Sequence, residues 1–392
     1  MNKSSIYNTL ILLPFYWLFS GMLLMSGGDK PMVAMVIISI ITTLCCYGFS
    51  TIKVNIKQDK FLWVILAVTA YTIFSYYYHG YSSRGLRAIL CAALFLSFFP
   101  RHLFSLRYLS VMMAIGSLCS VFFAFYYGQY LSLSRSAWPI NAIPQATISA
   151  SIGLIALSLS ITSDKHRTIS IFTFVMCTIA ILLSQTRGLW LGYFAITGVI
   201  FIIKFKDLLA HKKVTLIAIA IVALCGFTLK PVIESRVNTT IDEVNKIAHG
   251  DLDTSFGLRL QMWQLTPQLI EGHIIFGQGS EHYKRFNSLY KQGDVSKALK
   301  HFNPAHYHNQ YIDKLIKDGV IGLFLLIALL VTPLLSISDK TRVTRYMLSS
   351  LVLLYAIAGL TDVPFNHAQT LLLYLLLICT LQTTTQNKES YE

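Results

Sequence analysis

The chain has 392 residues, of which 54% are hydrophobic and only 13% are charged, and its mean hydropathy is +0.58. Soluble domains carry about 25% charged residues, so this composition excludes a soluble globule, a disordered chain and a fibrous protein. The net charge is +14, but the basic residues flank apolar blocks and form no dense cluster, so we expect no nucleic-acid partner. The apolar blocks are about twenty residues long, the length that crosses a bilayer core. The sequence therefore predicts an all-α polytopic membrane protein that contacts membrane lipids.

Twelve apolar blocks are predicted to be transmembrane helices. They lie at residues 5–25, 31–50, 61–78, 86–100, 108–128, 145–163, 168–185, 188–205, 213–230, 319–338, 344–361 and 367–384. Residues 1–230 would then hold helices one to nine, and residues 319–392 would hold the last three and a tail. The intervening residues 231–318 carry ten basic and ten acidic residues and many helix formers. They are predicted to form a small helical loop domain rather than a linker.

The orientation follows from the connections between the spans. With a cytoplasmic N-terminus, sixteen Lys and Arg residues fall in the inner connections and five in the short outer ones. Inner connections of membrane proteins are enriched in basic residues. We therefore expect both termini in the cytoplasm and the loop domain on the outer side.

The first motif is Ser184-Gln185-Thr186-Arg187-Gly188-Leu189-Trp190, at the tight outer turn between spans seven and eight. An arginine between two apolar helices is costly unless something satisfies it. Arg187 either snorkels to lipid headgroups beside Trp190 or binds an anion. The motif leaves both interpretations open.

The second motif lies in the loop domain and runs from Gly257 to Trp263, followed by Ile274-Ile275-Phe276-Gly277-Gln278-Gly279. Arg259 lies on a predicted amphipathic helix at the membrane surface, and the glycines allow a close backbone turn. Arg259 is either an anion-binding residue or part of a solvated helix face.

The third motif is His306-Tyr307-His308-Asn309, followed by nine residues and then Gly319 and Gly322. A helix is predicted from about His308 to Lys317, running straight into the tenth span. On a helix His306 and His308 would point different ways, so we expect no metal site. A histidine at a helix start, near neutral pKa, suits general base chemistry. The two glycines are expected to permit close helix packing.

The three motifs share one predicted face. The positive-inside topology places Arg187, Arg259 and His308 on the outer side, where basic residues are exceptions and need another explanation. The other outer arginines are Arg84, Arg87, Arg135 and Arg236. An arginine fork binds phosphate through two hydrogen bonds without a metal. Several forks near one histidine would hold a lipid diphosphate leaving group while the histidine deprotonates an incoming hydroxyl.

These motifs together resemble the bacterial O-antigen ligase family. The first is similar to the family's Ser/Thr-Arg-Gly turn and the second to its Arg…Trp…Phe-Gly-x-Gly pattern. The third is similar to its His-[Asn/Ser/Gln]-x9-Gly-x-x-Gly signature, and the predicted topology of twelve spans with one large loop also resembles the family. The resemblance implies a GT-C-like, cofactor-free and metal-independent transferase of the inner membrane.

The implied reaction moves a polysaccharide from undecaprenyl diphosphate, the donor, to a sugar hydroxyl of lipid A–core, the acceptor, at the periplasmic face. The resemblance assigns Arg187 and Arg259 to diphosphate binding and His308 to the role of base. Arg135 and Asn141, in the outer loop before the sixth span, lie in a region that also resembles the family. Direct displacement with inversion of configuration is predicted.

Three alternatives remain from the sequence. An O-antigen polymerase would use the same donor with a second lipid-linked glycan as acceptor, and a related enzyme would transfer the glycan to protein hydroxyls. A transporter or flippase for lipid-linked glycans also fits twelve spans and outer positive charges. Transporters commonly have two matched halves and charges at mid-membrane, and the sequence shows no internal repeat.

Overall fold

The computed structural model describes residues 3–204, 230–335 and 337–383, and four isolated positions at 216, 220, 223 and 227. This described part is helical and contains no β-strand. Its α-helices, numbered in chain order, are α1 Lys3–Ile11, α2 Leu13–Leu18, α3 Gly21–Leu24, α4 Asp29–Tyr47, α5 Ser50–Gln58, α6 Lys60–Tyr78, α7 Ser83–Phe98, α8 Leu106–Phe125, α9 Ala142–Ser160, α10 Arg167–Ser184, α11 Arg187–Ile203, α12 Lys230–Ala248, α13 Ser255–Gln264, α14 Thr266–Ile270, α15 His282–Gln292, α16 Lys297–Phe302, α17 Gln310–Leu335, α18 Arg342–Ala358 and α19 Ala368–Thr383.

Six helices of the described chain are long and apolar enough to cross a membrane. They are Asp29–Tyr47, Lys60–Tyr78, Leu106–Tyr130, Ala142–Ser160, Asp164–Ser184 and Gln310–Asp339. The bent pair Ser5–Ile11 and Leu13–Leu24, with an angle of 53° between its parts, gives a seventh if it is one span. The prediction of an all-α protein with several membrane-spanning helices is therefore confirmed, whereas the count of twelve stays a prediction.

The remaining predicted spans coincide with shorter helices or fall outside the described residues. Helices α7, α11, α18 and α19 lie at the fourth, eighth, eleventh and twelfth predicted spans, and each has fewer than eighteen residues. The predicted ninth span, 213–230, lies outside the described residues except at isolated positions.

Helix α9 forms the centre of the bundle. In the most apolar 18-residue stretch of α9, 94% of the residues are buried, compared with 28% in the corresponding stretch of α4. It packs against α8, α10, α11 and α18, and its small residues Ser149, Ser151 and Gly153 allow these neighbours to approach closely. Outer helices expose large apolar side chains such as Ile202 and Phe324, as expected for surfaces that face lipid.

The loop domain has a small core of its own. Helices α13 to α16 bury an apolar cluster against the segment that leads into α17. Its fully buried members include Met262, Leu269, Phe286, Leu299 and Tyr307. This cluster fixes the helix that carries Arg259 relative to the residues just before α17.

The predicted helix that runs from the loop domain into the tenth span is present as α17, but it is broken at Gly319. Gly319 has φ 66° and ψ −167°, a backbone conformation that glycine adopts readily. Across the break, the backbone N–H of Val320 donates to the carbonyl of Ile274 at 2.9 Å, and that of Gln278 donates to the carbonyl of Ile316 at 3.0 Å.

The glycines of the second and third motifs meet at this break. A Cβ on Gly319 would collide with the carbonyl of Ile275, and a Cβ on Gly277 would collide with the backbone of Lys317. The close approach predicted at Gly319 is therefore made by a loop rather than by another helix. The break docks the loop domain onto the membrane-spanning part of α17.

Candidate active site

The first motif forms a two-residue reversal between α10 and α11. Helix α10 ends at Ser184, Gln185 adopts the left-handed conformation with φ 56°, and α11 begins at Arg187. The left-handed residue stops the first helix, because it cannot continue a right-handed one. Three consecutive side chains, from Gln185 to Arg187, are thereby presented at the same end of the bundle.

Two of these side chains hold arginines from elsewhere in the chain. The Oε1 of Gln185 accepts hydrogen bonds from Nε and Nη2 of Arg236, at 3.0 and 2.7 Å. The Oγ1 of Thr186 accepts a hydrogen bond from Nη2 of Arg135 at 3.1 Å. Both acceptors are neutral, so they orient the guanidinium groups without cancelling their charge.

The third side chain of the turn, Arg187, reaches toward helix α12. Its Nη1 donates to Oγ1 of Thr240 at 2.7 Å and its Nη2 donates to Oε1 of Glu243 at 3.0 Å. Arg259 belongs to helix α13 and its side chain enters the same site. Its Nη1 donates a hydrogen bond to the backbone carbonyl of Thr361 at 3.1 Å. Both side chains are therefore held by protein groups rather than free at the surface, and their role in anion binding stays a prediction.

The arginines form a cluster with excess positive charge. Its four members are Arg135, Arg187, Arg236 and Arg259. Burial, followed by the charges of the other three arginines, lowers the pKa of Arg135 to about 10, so it stays protonated at neutral pH. The nearby carboxylates are Glu243 and Asp362. Four guanidinium groups against two carboxylates leave a local charge of +2, which favours a bound anion.

One donor of this cluster is buried and unpaired. The Nε of Arg135 has no hydrogen-bond partner within the part of the chain that the structure describes. A buried donor without a partner costs about 1–3 kcal/mol.

The third motif places His308 on a tight turn directly before α17. His308 has φ 48°, in the left-handed region that is strained for a non-glycine residue. Asn309 caps the helix, because its Oδ1 accepts hydrogen bonds from the backbone N–H groups of Tyr311 and Ile312 at 3.0 and 3.1 Å. The cap fixes where the helix begins and therefore fixes the backbone of His308.

A second tie holds this turn against the segment between α18 and α19. The Oε1 of Gln310 accepts from the backbone N–H of Phe365 at 2.8 Å, and its Nε2 donates to Oδ1 of Asn366 at 3.0 Å. The same segment carries Asp362, which is thereby brought next to His308.

His306 and His308 both face the carboxylate of Asp362. Nε2 of His306 and Nδ1 of His308 each lie 3.5 Å from Oδ1 of Asp362, and the two ring centroids are 4.3 Å apart. The expectation that the histidines point different ways is wrong, because residues 305–309 are not helical and residues two apart can then share a side. The side chain of Tyr307 between them is buried against His282.

The protonation states suit a base beside an anion. Burial lowers the pKa of His308 below its ordinary value of 6.5, opposed by its contact with Asp362. Burial alone would raise the pKa of Asp362, but its contacts with His306 and His308 outweigh this and hold it below the usual range. At neutral pH the site therefore holds a neutral imidazole at His308 next to an ionised carboxylate.

The tryptophan of the second motif links the two halves of the site. Nε1 of Trp263 donates to the backbone carbonyl of Tyr307 at 2.9 Å. Trp263 lies one helical turn after Arg259 on α13, so this bond sets the position of Arg259 relative to His308.

Comparison with known proteins agrees with this arrangement. Residues 172–327 match the family model described as O-antigen ligase. This segment is therefore similar to the O-antigen ligase family. It contains Arg187, Arg236, Arg259 and His308, whereas Asp362 lies beyond it.

Two relatives match parts of the chain. The chain is 32% identical over 201 residues to an uncharacterized protein of Haemophilus influenzae, covering 49% of this chain and 48% of that protein. It is 26% identical over 161 residues to the O-antigen ligase of Escherichia coli strain K12, covering 39% of this chain and 38% of that protein. The matches thus span about half of the first relative and less of the second.

Three predicted residues lie outside the matched segment, residues 172–327, and have other contacts. The Oδ1 of Asn141 accepts from the backbone N–H of Ile143 and caps α9. Arg87 binds the buried Asp29 at 2.6 Å, and Arg84 lies 3.9 Å from the same carboxylate. These arginines are thus paired with Asp29, and their predicted role in substrate binding stays a prediction.

Sequence reasoning missed two carboxylates of the candidate site, Asp362 and Glu243. Asp362 is the only acidic residue between Arg342 and Lys388 and lies between two apolar blocks. A lone carboxylate in such a position is costly unless it is paired, which is the signal that could have identified it. Glu243 carries no comparable signal, because it lies among other charged residues.

Proposed function

We propose that the protein is an O-antigen ligase. It transfers a polysaccharide from undecaprenyl diphosphate to a sugar hydroxyl of lipid A–core at the periplasmic face of the bacterial inner membrane. The proposal includes twelve spans, a GT-C-like architecture and cytoplasmic termini. The observation that carries it is the convergence of four arginines with the His308–Asp362 pair in one site, within and beside an O-antigen ligase family domain.

The arginine cluster supplies the donor site in this proposal. Its local charge of +2 complements the negative charge of the diphosphate, which increases by one unit when the diphosphate leaves. Guanidinium groups bind phosphate oxygens through two parallel hydrogen bonds and provide charge stabilisation that requires no metal. The diphosphate is already a good leaving group, so catalysis needs mainly positioning, charge stabilisation and one base.

His308 supplies the base. Its Nδ1 faces Asp362, so its Nε2 is the nitrogen that accepts the proton of the acceptor hydroxyl. The hydroxyl oxygen forms a bond to the anomeric carbon while the bond between that carbon and the diphosphate oxygen breaks. Asp362 stabilises the imidazolium as it forms. Attack opposite the leaving group inverts the anomeric configuration, and a product with retained configuration would contradict this mechanism.

The position of the site favours an enzyme over a transporter. Arg187 is the first residue of α11, His308 precedes α17, and Asp362 lies between α18 and α19. All three are therefore at helix ends, whereas transporters place their coupling sites near mid-membrane at broken helices. An O-antigen polymerase shares the donor chemistry, so the acceptor must be tested directly.

A deletion strain provides that test. The strain is complemented with the wild-type gene, with His308→Ala or with His301→Ala, which changes an exposed histidine of the loop domain. Lipopolysaccharide gels and the extracted lipid-linked glycan pool are compared at matched membrane levels of each protein. We expect rough lipopolysaccharide and long glycans stranded on undecaprenyl diphosphate in the deletion and His308→Ala strains, with full rescue by His301→Ala.

The other outcomes identify the alternatives. Core carrying a single repeat unit in the deletion strain would indicate a polymerase. An unchanged ladder would contradict the ligase proposal.

A further inference from the structure

Two buried atoms of the site face each other without a hydrogen bond. His308 Nδ1 and Asp362 Oδ1 have no hydrogen-bond partner among the residues that the structure describes, although they lie 3.5 Å apart. Buried polar atoms in folded proteins are almost always satisfied, and a bound ion is one way in which two such atoms gain a partner. The pair is too far apart for a good hydrogen bond and too close to be unrelated.

A third donor atom completes the group. His306 Nε2 lies 3.5 Å from the same oxygen of Asp362, and one ligand atom from each of the three residues lies within 4.8 Å of the others. In a tetrahedral zinc site with bonds of about 2.0–2.2 Å, neighbouring ligand atoms are about 3.3–3.6 Å apart. Two of the three distances are therefore already those of a bound ion.

We propose that His306, His308 and Asp362 form a binding site for a divalent transition metal ion of the zinc type, and that the ion inhibits the enzyme. Imidazole nitrogens favour zinc, cobalt, nickel and copper, whereas magnesium and calcium prefer sites made only of oxygen ligands. Three protein ligands leave the fourth position of a tetrahedral ion for water.

Metal binding removes the base. An ion on Nδ1 of His308 replaces the proton there, so the neutral ring must carry its proton on Nε2. That nitrogen can then no longer accept a proton from the acceptor hydroxyl. The ion also neutralises Asp362, which otherwise stabilises the imidazolium. Metal binding itself is independent of the proposed function, whereas inhibition rests on it.

The arginine cluster opposes the ion and sets the expected behaviour. Arg259 and Arg135 both lie close enough to Asp362 for a direct electrostatic effect, so the cluster repels a dication. We therefore expect reversible binding that a chelator removes. A bound anion such as diphosphate reduces this repulsion and should strengthen zinc binding.

Binding is tested on the full-length protein, purified in detergent without a polyhistidine tag. Zinc is titrated in competition with a fluorescent chelator, with magnesium as the control ion. We expect one zinc site in the wild type, at least tenfold weaker binding by His306→Ala, and unchanged binding by His301→Ala. Equal zinc affinity in the wild type and His306→Ala would overturn the proposal.

Cobalt provides a second measurement that does not depend on a variant. A tetrahedral cobalt site absorbs visible light strongly, whereas aqueous cobalt absorbs weakly. We expect the strong absorption in wild-type protein, with loss on adding zinc. Its absence from folded wild-type protein would overturn the metal site and leave the ligase proposal untouched.

The inhibitory effect has its own experiment. Transfer of polysaccharide is measured against zinc concentration and again after a chelator is added. The zinc concentration for half-inhibition should rise in His306→Ala by the same factor by which binding weakens. Zinc that binds at this site without inhibiting transfer would contradict His308 as the base, while the metal site would stand.

Discussion

Replacing Asp362 with asparagine tests whether the Asp362 carboxylate stabilises the imidazolium of His308 in the proposed mechanism. Asp362→Asn keeps the size of the side chain and removes its charge. His308 becomes positive as it accepts the proton, with its Nδ1 3.5 Å from Oδ1 of Asp362. At an effective dielectric constant of about 20, unit charges at this separation interact by about 4–5 kcal/mol. The surrounding arginines reduce the net effect, so we expect a loss of about 3–4 kcal/mol, or a fall in kcat of about 10²–10³-fold.

The donor KM distinguishes this role from substrate binding. Asp362 contributes negative charge beside a cluster that binds an anion, so its neutralisation should leave the donor KM unchanged or lower it. The assay uses purified protein in vesicles, lipid-linked polysaccharide as donor and lipid A–core as acceptor. Asp294→Asn, an exposed carboxylate of the loop domain, is the matched control and should behave as wild type. A kcat within threefold of wild type for Asp362→Asn, or a loss confined to the donor KM, would refute the reasoning.

Three further predictions concern the base, the cluster and the helix break. Because burial lowers the pKa of His308 below 6.5, kcat/KM should fall only on the acid side of pH 6.5, where the base becomes protonated. Asp362→Asn removes the group that favours the protonated form, so it should move this fall to lower pH; a shift to higher pH would contradict the assignment. Arg187→Lys should reduce kcat/KM about a hundredfold or more, because lysine lacks the planar fork, whereas a snorkelling anchor would tolerate the change. In thermal unfolding in detergent, Gly277→Ala should destabilise by about 1–3 kcal/mol more than Gly272→Ala: both glycines have φ near +75°, but only Gly277 has backbone where its Cβ would lie. Equal stability of the two variants would exclude tight docking.

The parts of the site that the sequence could predict are those with a local signal. Arg187 and Arg259 are predicted because they are basic residues on the predicted outer side, which the topology rule leaves unexplained, and because their motifs resemble those of the O-antigen ligase family. His308 was found because it begins a helix that leads into a span. Asp362 was not found, since its role depends on a contact with a residue 54 positions earlier in the chain. No periodicity or motif encodes that contact.

A small error in a helix boundary caused the incorrect interpretation of the histidines. The predicted helix began at about His308, whereas the observed helix begins at Gln310 behind the Asn309 cap. Inside a helix, residues two apart point about 200° apart, but in an irregular segment they can share a side. Moving the helix start by two residues therefore changed His306 and His308 from divergent side chains into neighbours.

The break in α17 was missed for a related reason. The apolar pattern continues through Gly319 at helical spacing, so nothing local distinguishes a broken helix from a straight one. The distortion comes from the loop at Gly277, which needs space between the two halves of α17. Tertiary packing thus overrides a pattern that predicts a continuous helix.

The hydrogen-bond partners of the four arginines explain how four positive charges can be brought together without being neutralised. Arg135, Arg236 and Arg259 are bound by a hydroxyl, an amide oxygen and a backbone carbonyl, and only Arg187 is bound by a carboxylate. Neutral acceptors fix a guanidinium in place but leave its charge, whereas carboxylate partners would cancel it and compete with an anionic substrate. The free protein therefore retains the electrostatic repulsion among the arginines, and the proposed diphosphate substrate would relieve it on binding.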